Sequence, residues 1–438
     1  RMGDTYGSCE RNFQKITVKN YYQNIGACRI CKNPNLTEVL NFGEQYLASA
    51  FVKSNENNDL AKIKIPLIVM LCRDCGLVQL RETVERDLMY RNYFYRSQTN
   101  PMMREALKDL VNDLNSKVRL DAGDWILDIG CNDGTMLNYF PAGVKKIGID
   151  PATNITPVAL DADCKIITDY FSKTSVQKTA GNVLFKAITS VAMFYDLDDP
   201  NAFVNEVKSI LAPDGVWCIQ LSYLPTSLKT LNFYDVCHEH LEYYTIRALE
   251  NLLKRHDLEI FDASLNDVNG GSLRVFAAHR NSERSPSENL KKIYATEDAM
   301  NLISPEPYKE FSKKIDELKN KTLQFLLEEK QAGRSVIGLG ASTKGNVLIQ
   351  FFNITKDLLP CISERNPEKV GLRTLGTDIE LISEETARAM NPASMLVLIW
   401  FFKDELIKRE KEYLKMGGRL FFPMPYPHLV TKEGEQAL

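Results

Sequence analysis

The chain has 438 residues, more than one hydrophobic core accommodates, since single cores stop growing at roughly 250–300 residues. Lys plus Arg number 54 against 57 Asp plus Glu, a formal charge of -3, so no global field draws the protein to nucleic acid or to an anionic membrane. Ten cysteines are too sparse for a disulfide scaffold, and neither a membrane-spanning run of roughly 18 apolar residues nor a signal-peptide core is present, so a cytoplasmic multidomain protein is expected.

Residues 1–20 are polar and aperiodic and read as a leader. From 21 to 85 the segments are short, turn-rich and bracketed by Cys28-Arg-Ile-Cys31 and Cys72-Arg-Asp-Cys75. Each CxxC pair offers two sulfurs from one knuckle, as tetrahedral thiolate coordination of zinc requires; free core thiols and a redox pair are the alternatives. Four protein ligands leave no open position, so the ion would hold the fold together and do no chemistry.

Residues 86–285 open with the aromatic, basic stretch Tyr90–Ser97 and a helical pattern through Met103, Leu107, Leu110 and Leu114. Strand-like runs at Trp125–Ile129, Lys146–Ile149, Ala187–Val191, Val216–Leu221 and Leu273–Ala278 then alternate with helical ones, which predicts βαβ units in a parallel, Rossmann-like sheet. Residues 286–333 form a charged connector ending in an amphipathic helix striped by Phe311, Ile315, Leu318, Phe325 and Leu326, expected to pack on that sheet. From 334 to 438 a second alternation, Ser335–Leu339, Leu359–Ile362, Met395–Trp400 and Arg419–Phe422, predicts a smaller Rossmann-like domain. The fold class is therefore α/β with an N-terminal four-cysteine zinc module. Because the connector's stripe can be buried within the chain, a monomer is expected.

The sequence Asp128-Ile-Gly-Cys-Asn-Asp-Gly134 follows the first strand of the central region and is expected to open a helix around Met136–Phe140. Gly130 and Gly134, with Asn132 and Asp133 between them, let a ligand approach the backbone closely. Asp150, ending the next strand, is placed to accept both hydroxyls of an adenosine ribose, with Asp169 and Phe171 bordering the adenine. A dinucleotide fold would show GxGxxG. The loop here is GxxxG and lacks the middle glycine that admits a pyrophosphate, so S-adenosylmethionine is the expected cofactor, with NAD and a purely structural turn as competitors.

Further along stand Tyr234-Asp-Val-Cys-His-Glu-His-Leu-Glu-Tyr-Tyr244, Asn269-Gly-Gly-Ser-Leu-Arg-Val275, Gly338-Leu-Gly-Ala-Ser-Thr-Lys-Gly-Asn346 and Glu364-Arg-Asn-Pro367. With these, the sequence from about Cys28 to the C-terminus resembles the zinc-bearing nucleotide-sugar C-methyltransferases, which methylate carbon 3 of dTDP-linked 4-keto deoxysugars. The resemblance implies that the cofactor lies on the central sheet and that a sugar nucleotide is gripped by the C-terminal domain near Lys344, Gly345 and Asn346, with Arg365 in the neighbouring motif. Read from the residues, that second loop follows a strand and opens a helix, so its N–H groups and Lys344 suit a diphosphate, and a packing turn is the alternative.

The resemblance also implies His240 as the base that removes an α-proton, Glu239 as its orienting partner, and Tyr95 as a tyrosine closing over the substrate, with Ser97 beside it. Histidine suits that task because its ordinary pKa lies near neutrality. An exposed helix-start cluster is the other reading of His-Glu-His. Tyr223, His238 and Asn269 complete the expected substrate pocket. The sequence departs from the family pattern at Cys237 (tyrosine there), Tyr195 and Asn269 (both histidine) and Gln220 (a carboxylate). Tyr195 remains a donor for an enolate oxygen, although a phenol with a pKa near about 10 is no base at neutral pH. The leading expectation is C-methylation of a nucleotide-linked keto-sugar; the alternatives are methylation of oxygen or nitrogen in another small metabolite, and a catalytically inactive nucleotide-binding protein.

Overall fold

A computed structural model describes residues 21–53, 63–91, 93 and 95–438; the leader expected at 1–20 lies outside them. Among the described residues no helix is long and apolar enough to cross a membrane.

The central sheet has seven strands in the order Leu258–Asn266, Ser272–His279, Leu211–Ser222, Phe185–Val191, Trp125–Ile129, Lys145–Asp150 and Cys164–Thr168. All five expected strands are present, but the sheet is not wholly parallel: Ser272–His279 runs antiparallel to both neighbours. The reason is the short link from Asn266 to Ser272, which suffices for a hairpin but not for the crossover of a dozen or more residues that parallel pairing needs. Helix Pro101–Lys117 is capped by the Asn100 side chain with proline at its first position and buries Leu107, Leu110, Val111 and Leu114. These pack with Ile126, Val216 and Phe276 on one face of the sheet.

The C-terminal sheet is built around five parallel strands, Arg419–Phe422, Ser394–Val397, Val336–Leu339, Cys361–Glu364 and Glu380–Ser383. The strand expected to reach Trp400 stops at Val397, and Trp400 begins a 3-10 turn. The connector helix, Glu306–Gln331, does not lie on the central sheet as its stripe suggested. Its buried residues join the core of the C-terminal sheet and of strand Leu36–Gln45, with Phe325 stacked on Phe421 at 4.2 Å.

The parts interleave. Strands Leu36–Gln45, Ile65–Cys72 and Val78–Leu80 form an antiparallel sheet that Glu242–Tyr243 completes from beyond the central sheet. Phe51–Lys53 is the edge strand of the C-terminal sheet, paired with Leu372–Thr374.

Candidate active site

The two cysteine knuckles share one backbone plan. Lys32 N–H donates to Cys28 O at 3.0 Å and Gly76 N–H to Cys72 O at 2.9 Å, and the residue after each pair, Lys32 (φ 61) and Gly76 (φ 78), is left-handed. This turns all four sulfurs inward, where they lie within 4.8 Å of one another, with Cys28–Cys75 at 3.5 Å and Cys31–Cys72 at 3.4 Å. Tetrahedral zinc with Zn–S near 2.3 Å puts sulfurs about 3.8 Å apart, so the donor set fits the ion. The Cys28 thiol is pushed down to about 5, chiefly by the hydrogen bond from Cys75, whose own thiol is pushed up. The knuckles dock on the central domain, where Asn201 Nδ2 donates to Arg29 O and Ile30 O and Asn251 Nδ2 to Cys75 O.

At the carboxyl end of Trp125–Ile129, Gly130 (φ 76) donates its N–H to Ile149 O at 2.8 Å, and a Cβ there would meet Met193 Cγ at 2.7 Å. The helix expected at Met136–Phe140 is a 3-10 segment, Thr135–Tyr139, entered from Gly134 (φ 79). Asn132 N–H donates to Asp150 Oδ2 at 2.9 Å, while its side chain accepts from Ser97 N–H and donates to Tyr95 O. Asp133 accepts from Gln98 N–H and from Thr135. Burial raises Asp128 to about 7, even with Thr189 donating to it, and Asp150 is raised by burial and by Asp133. The loop offers close backbone approach at Gly130 and Gly134, no basic side chain for a diphosphate, and Asp150 at the strand end to accept ribose hydroxyls, so these residues fit S-adenosylmethionine. Asp169 is exposed and reaches Arg91 at 3.9 Å. Phe171 packs against Phe203 at 5.0 Å.

The His-Glu-His segment leaves the 3-10 turn Phe233–Asp235 and runs into Glu242–Tyr243. His240 Nδ1 lies 2.7 Å from the carbonyl oxygen of Asp235. A carbonyl only accepts, so Nδ1 carries the proton and Nε2 keeps its lone pair. Burial lowers the pKa of His240, which keeps the ring neutral near neutrality. Its edge meets the Tyr195 ring at 4.4 Å, and both line a small cavity with Ser222, Asn232, Asp235 and Glu242. Burial holds the Tyr195 phenol well above its ordinary value, leaving it a neutral donor.

Several expected roles are corrected by the geometry. The group that orients His240 is the Asp235 carbonyl and not Glu239, whose two carboxyl oxygens are buried and accept no hydrogen bond among the described residues. Glu239 acts on His240 by charge alone, favouring the imidazolium. The His238 ring faces Ile65 O at 3.2 Å, out of the cavity. Tyr223 donates to Glu297, which also caps the helix at Ile246 and Arg247. Asn346 is buried and gives its amide to Ala48 O at 2.6 Å. Gly345 is pressed against Leu398, to which a Cβ would approach within 2.9 Å. Arg365 is exposed and nearest Glu405 at 3.8 Å. Lys344 is tied to the Asp235 carboxylate and to Asn269 O. Tyr95 is 40% exposed beside the cofactor loop.

Three residues escaped sequence reasoning. Asp235 lies within the quoted motif, but nothing in spacing says that its carbonyl holds the histidine. Asp196 follows Tyr195, and its carboxyl is raised well above the usual range by burial, then by Glu239 and Glu242. Glu364 had a readable signal, because the C-terminal loop repeats the plan of the cofactor loop with one residue fewer between its glycine and the N–H that the acid accepts. Gly340 N–H donates to Ser363 O as Gly130 does to Ile149 O. Ala341 N–H donates to Glu364 as Asn132 does to Asp150, and each acid also accepts from the N–H two residues on.

Family profiles match almost the whole described length: a zinc binding domain over residues 28–90, a methyltransferase domain over 97–263 and a C-methyltransferase C-terminal domain over 267–425. C-methyltransferase NovU of Streptomyces niveus is 29% identical over 411 residues, covering 93% of this chain and 98% of that protein. The chain belongs to the zinc-containing, S-adenosylmethionine-dependent C-methyltransferases. Among solved structures, 1,6-didemethyltoxoflavin-N1-methyltransferase of Burkholderia thailandensis is 13% identical over 41% of this C-methyltransferase and 80% of that chain, with a TM-score of 0.31. N-methyltransferase NodS of Bradyrhizobium japonicum is 17% identical over 43% and 98%, with a TM-score of 0.30.

Proposed function

We propose that this C-methyltransferase methylates a carbon next to the ketone of a nucleotide-linked 4-keto deoxysugar, dTDP-linked by family resemblance, with His240 as the base. The observation that carries the reading is the imidazole itself: protonated at Nδ1 by the Asp235 carbonyl, uncharged through burial, and edge-on to a neutral phenol. His240 Nε2 takes the α-proton, and the bonding electrons pass to the ketone oxygen as an enolate. The Tyr195 hydroxyl donates to that oxygen, as a preorganised donor aimed where charge develops. When bound, S-adenosylmethionine would supply the electrophilic methyl group for the enolate carbon. Gly130, Asn132, Asp133, Gly134 and Asp150 would hold it at the sheet end, with Asp128 beneath and Ser97 and Tyr95 beside the loop. The nucleoside end of the substrate is assigned to the turn at Gly340 and Ala341, where Glu364, placed like Asp150, would accept ribose hydroxyls, since Lys344, Gly345 and Asn346 are engaged within the protein.

The test is mass spectrometry of the purified enzyme with cofactor and a panel of dTDP-, GDP- and CDP-linked 4-keto deoxysugars, in light and heavy water. The expected result is one added methyl on a sugar carbon, with solvent exchange of the adjacent proton that His240→Asn abolishes. Adenosylhomocysteine formed on an acceptor hydroxyl or amine, with no exchange of any ketosugar, would refute it.

A further inference from the structure

Lys344 sits where a phosphate ligand was expected, yet its ammonium is engaged inside the protein. It contacts the Asp235 carboxylate at 2.8 Å and donates to the carbonyl of Asn269 at 2.9 Å. The Asp235 side chain is 5% exposed and that of Lys344 18%, so the pair is largely desolvated, and a cation removed from it would leave a buried charge uncompensated. The rings of Tyr234 and Phe401 flank the ammonium at 5.2 and 5.3 Å, fixing the tip of an otherwise flexible side chain. The two turns it joins are already laced together: Asn232 Nδ2 donates to Gly270 O at 3.0 Å, and Tyr234 Oη donates to Asn232 Oδ1 at 2.5 Å. The helix that carries Lys344, Thr343–Phe351, is capped by Ser342 and buried over Gly345–Ile349, which makes it a rigid mount.

We propose that Lys344 is a positioning residue for the catalytic base: by clamping the side chain of Asp235 from the C-terminal domain, it fixes the peptide whose carbonyl holds His240 protonated at Nδ1 and free at Nε2. This rests on the reading of His240 as the base. The electrostatics run the same way. Around His240, the carboxylates of Asp235 and Glu239 favour the charged ring and Lys344 opposes it. Tyr195, Glu242 and Tyr243 line the same cavity, and Cys237 lies in the same turn with its thiol pushed up by burial. Removing Lys344 therefore both loosens the Asp235 peptide and leaves a carboxylate beside the ring without its counter-charge.

The full chain, labelled with nitrogen-15 histidine, reports the charge and tautomer of His240 directly by NMR; His240→Asn identifies its signal among the five histidines. Lys344→Met is expected to release Nδ1 from the Asp235 carbonyl and populate the Nε2–H tautomer of His240, while Lys344→Arg keeps the wild-type tautomer. Asp235→Asn, which retains the carbonyl but gives up the charge that Lys344 grips, is expected to loosen the same peptide, populate the same tautomer and lower the pKa of His240, and it serves if Lys344→Met does not fold. An unmoved tautomer in folded Lys344→Met, or in Asp235→Asn, would overturn the proposal. If the tautomer shifts as expected but kcat/KM stays at the wild-type value, Lys344 still positions His240, and it is the assignment of His240 as base that fails.

Discussion

Gly130→Ala tests whether the cofactor loop is as tightly built as its geometry requires. Gly130 has φ 76, and its added Cβ would lie 2.7 Å from Met193 Cγ and 3.1 Å from Met193 Cβ. A left-handed L-residue costs about 1–2 kcal/mol, and crowding a packed site costs about 1–3 kcal/mol more. Gly123 is the control: it has φ 91 with nothing among the described residues within 4 Å of the new Cβ and lies at the opposite end of the same strand, so Gly123→Ala bears only the first cost. Calorimetric titration with S-adenosylhomocysteine and thermal melting separate the two effects. Both variants should melt lower, Gly130→Ala by the larger step, and only Gly130→Ala should lose affinity, by about tenfold or more as the loop shifts to relieve the contact. Wild-type affinity in Gly130→Ala, with a melting shift no greater than that of Gly123→Ala, would refute the close-packed cradle.

Metal analysis of the purified chain should return one zinc per molecule, lost in Cys72→Ser together with a large fall in melting temperature; an unchanged melt without metal would deny the ion its structural role. Because burial depresses the pKa of His240, the base is neutral above that value, so kcat/KM should rise with pH along a limb centred below about 6.5 and be flat above it. Glu239→Gln removes a charge that favours the imidazolium, and the same limb should move to lower pH; an upward move would contradict the geometry. Asn346→Ala orphans the buried Ala48 carbonyl and should cost about 1–3 kcal/mol of stability in denaturant titration, with cofactor affinity unchanged.

The features legible in the sequence were those whose chemistry is local. Two CxxC pairs, a glycine loop after an apolar run and an acid ending the next strand each announce themselves within a few residues. The edge strand Cys164–Thr168 did not, because it is short and only partly buried, which weakens the apolar signal. Leu258–Asn266 alternates buried and partly exposed positions around Glu259 and Asp262, so it reads less clearly than a strand covered on both faces. Partners distant in sequence were beyond reach: neither composition nor spacing says that Lys344 meets Asp235, that Tyr223 meets Glu297, or that Asn346 is used on Ala48. The same gap explains why Glu239 was given the orienting role. A carboxylate beside a histidine in sequence is conspicuous, whereas a backbone carbonyl five residues back has no signature.

The edge strand Phe51–Lys53 and the bond between Asn346 and Ala48, 298 residues apart, bear on how the molecule is made. A ribosome releases residues 51–53 long before Leu372–Thr374 exists, so that strand must wait with its pairing edge open. Such distant pairings slow folding and leave strand edges exposed to aggregation. The N-terminal third therefore reaches its final form only when synthesis is nearly over, and gene fragments that carry the zinc knuckles without the C-terminal sheet, or the reverse, should yield insoluble product. Exchange of substrate specificity between relatives would then proceed by changing residues around the cavity rather than by trading whole segments.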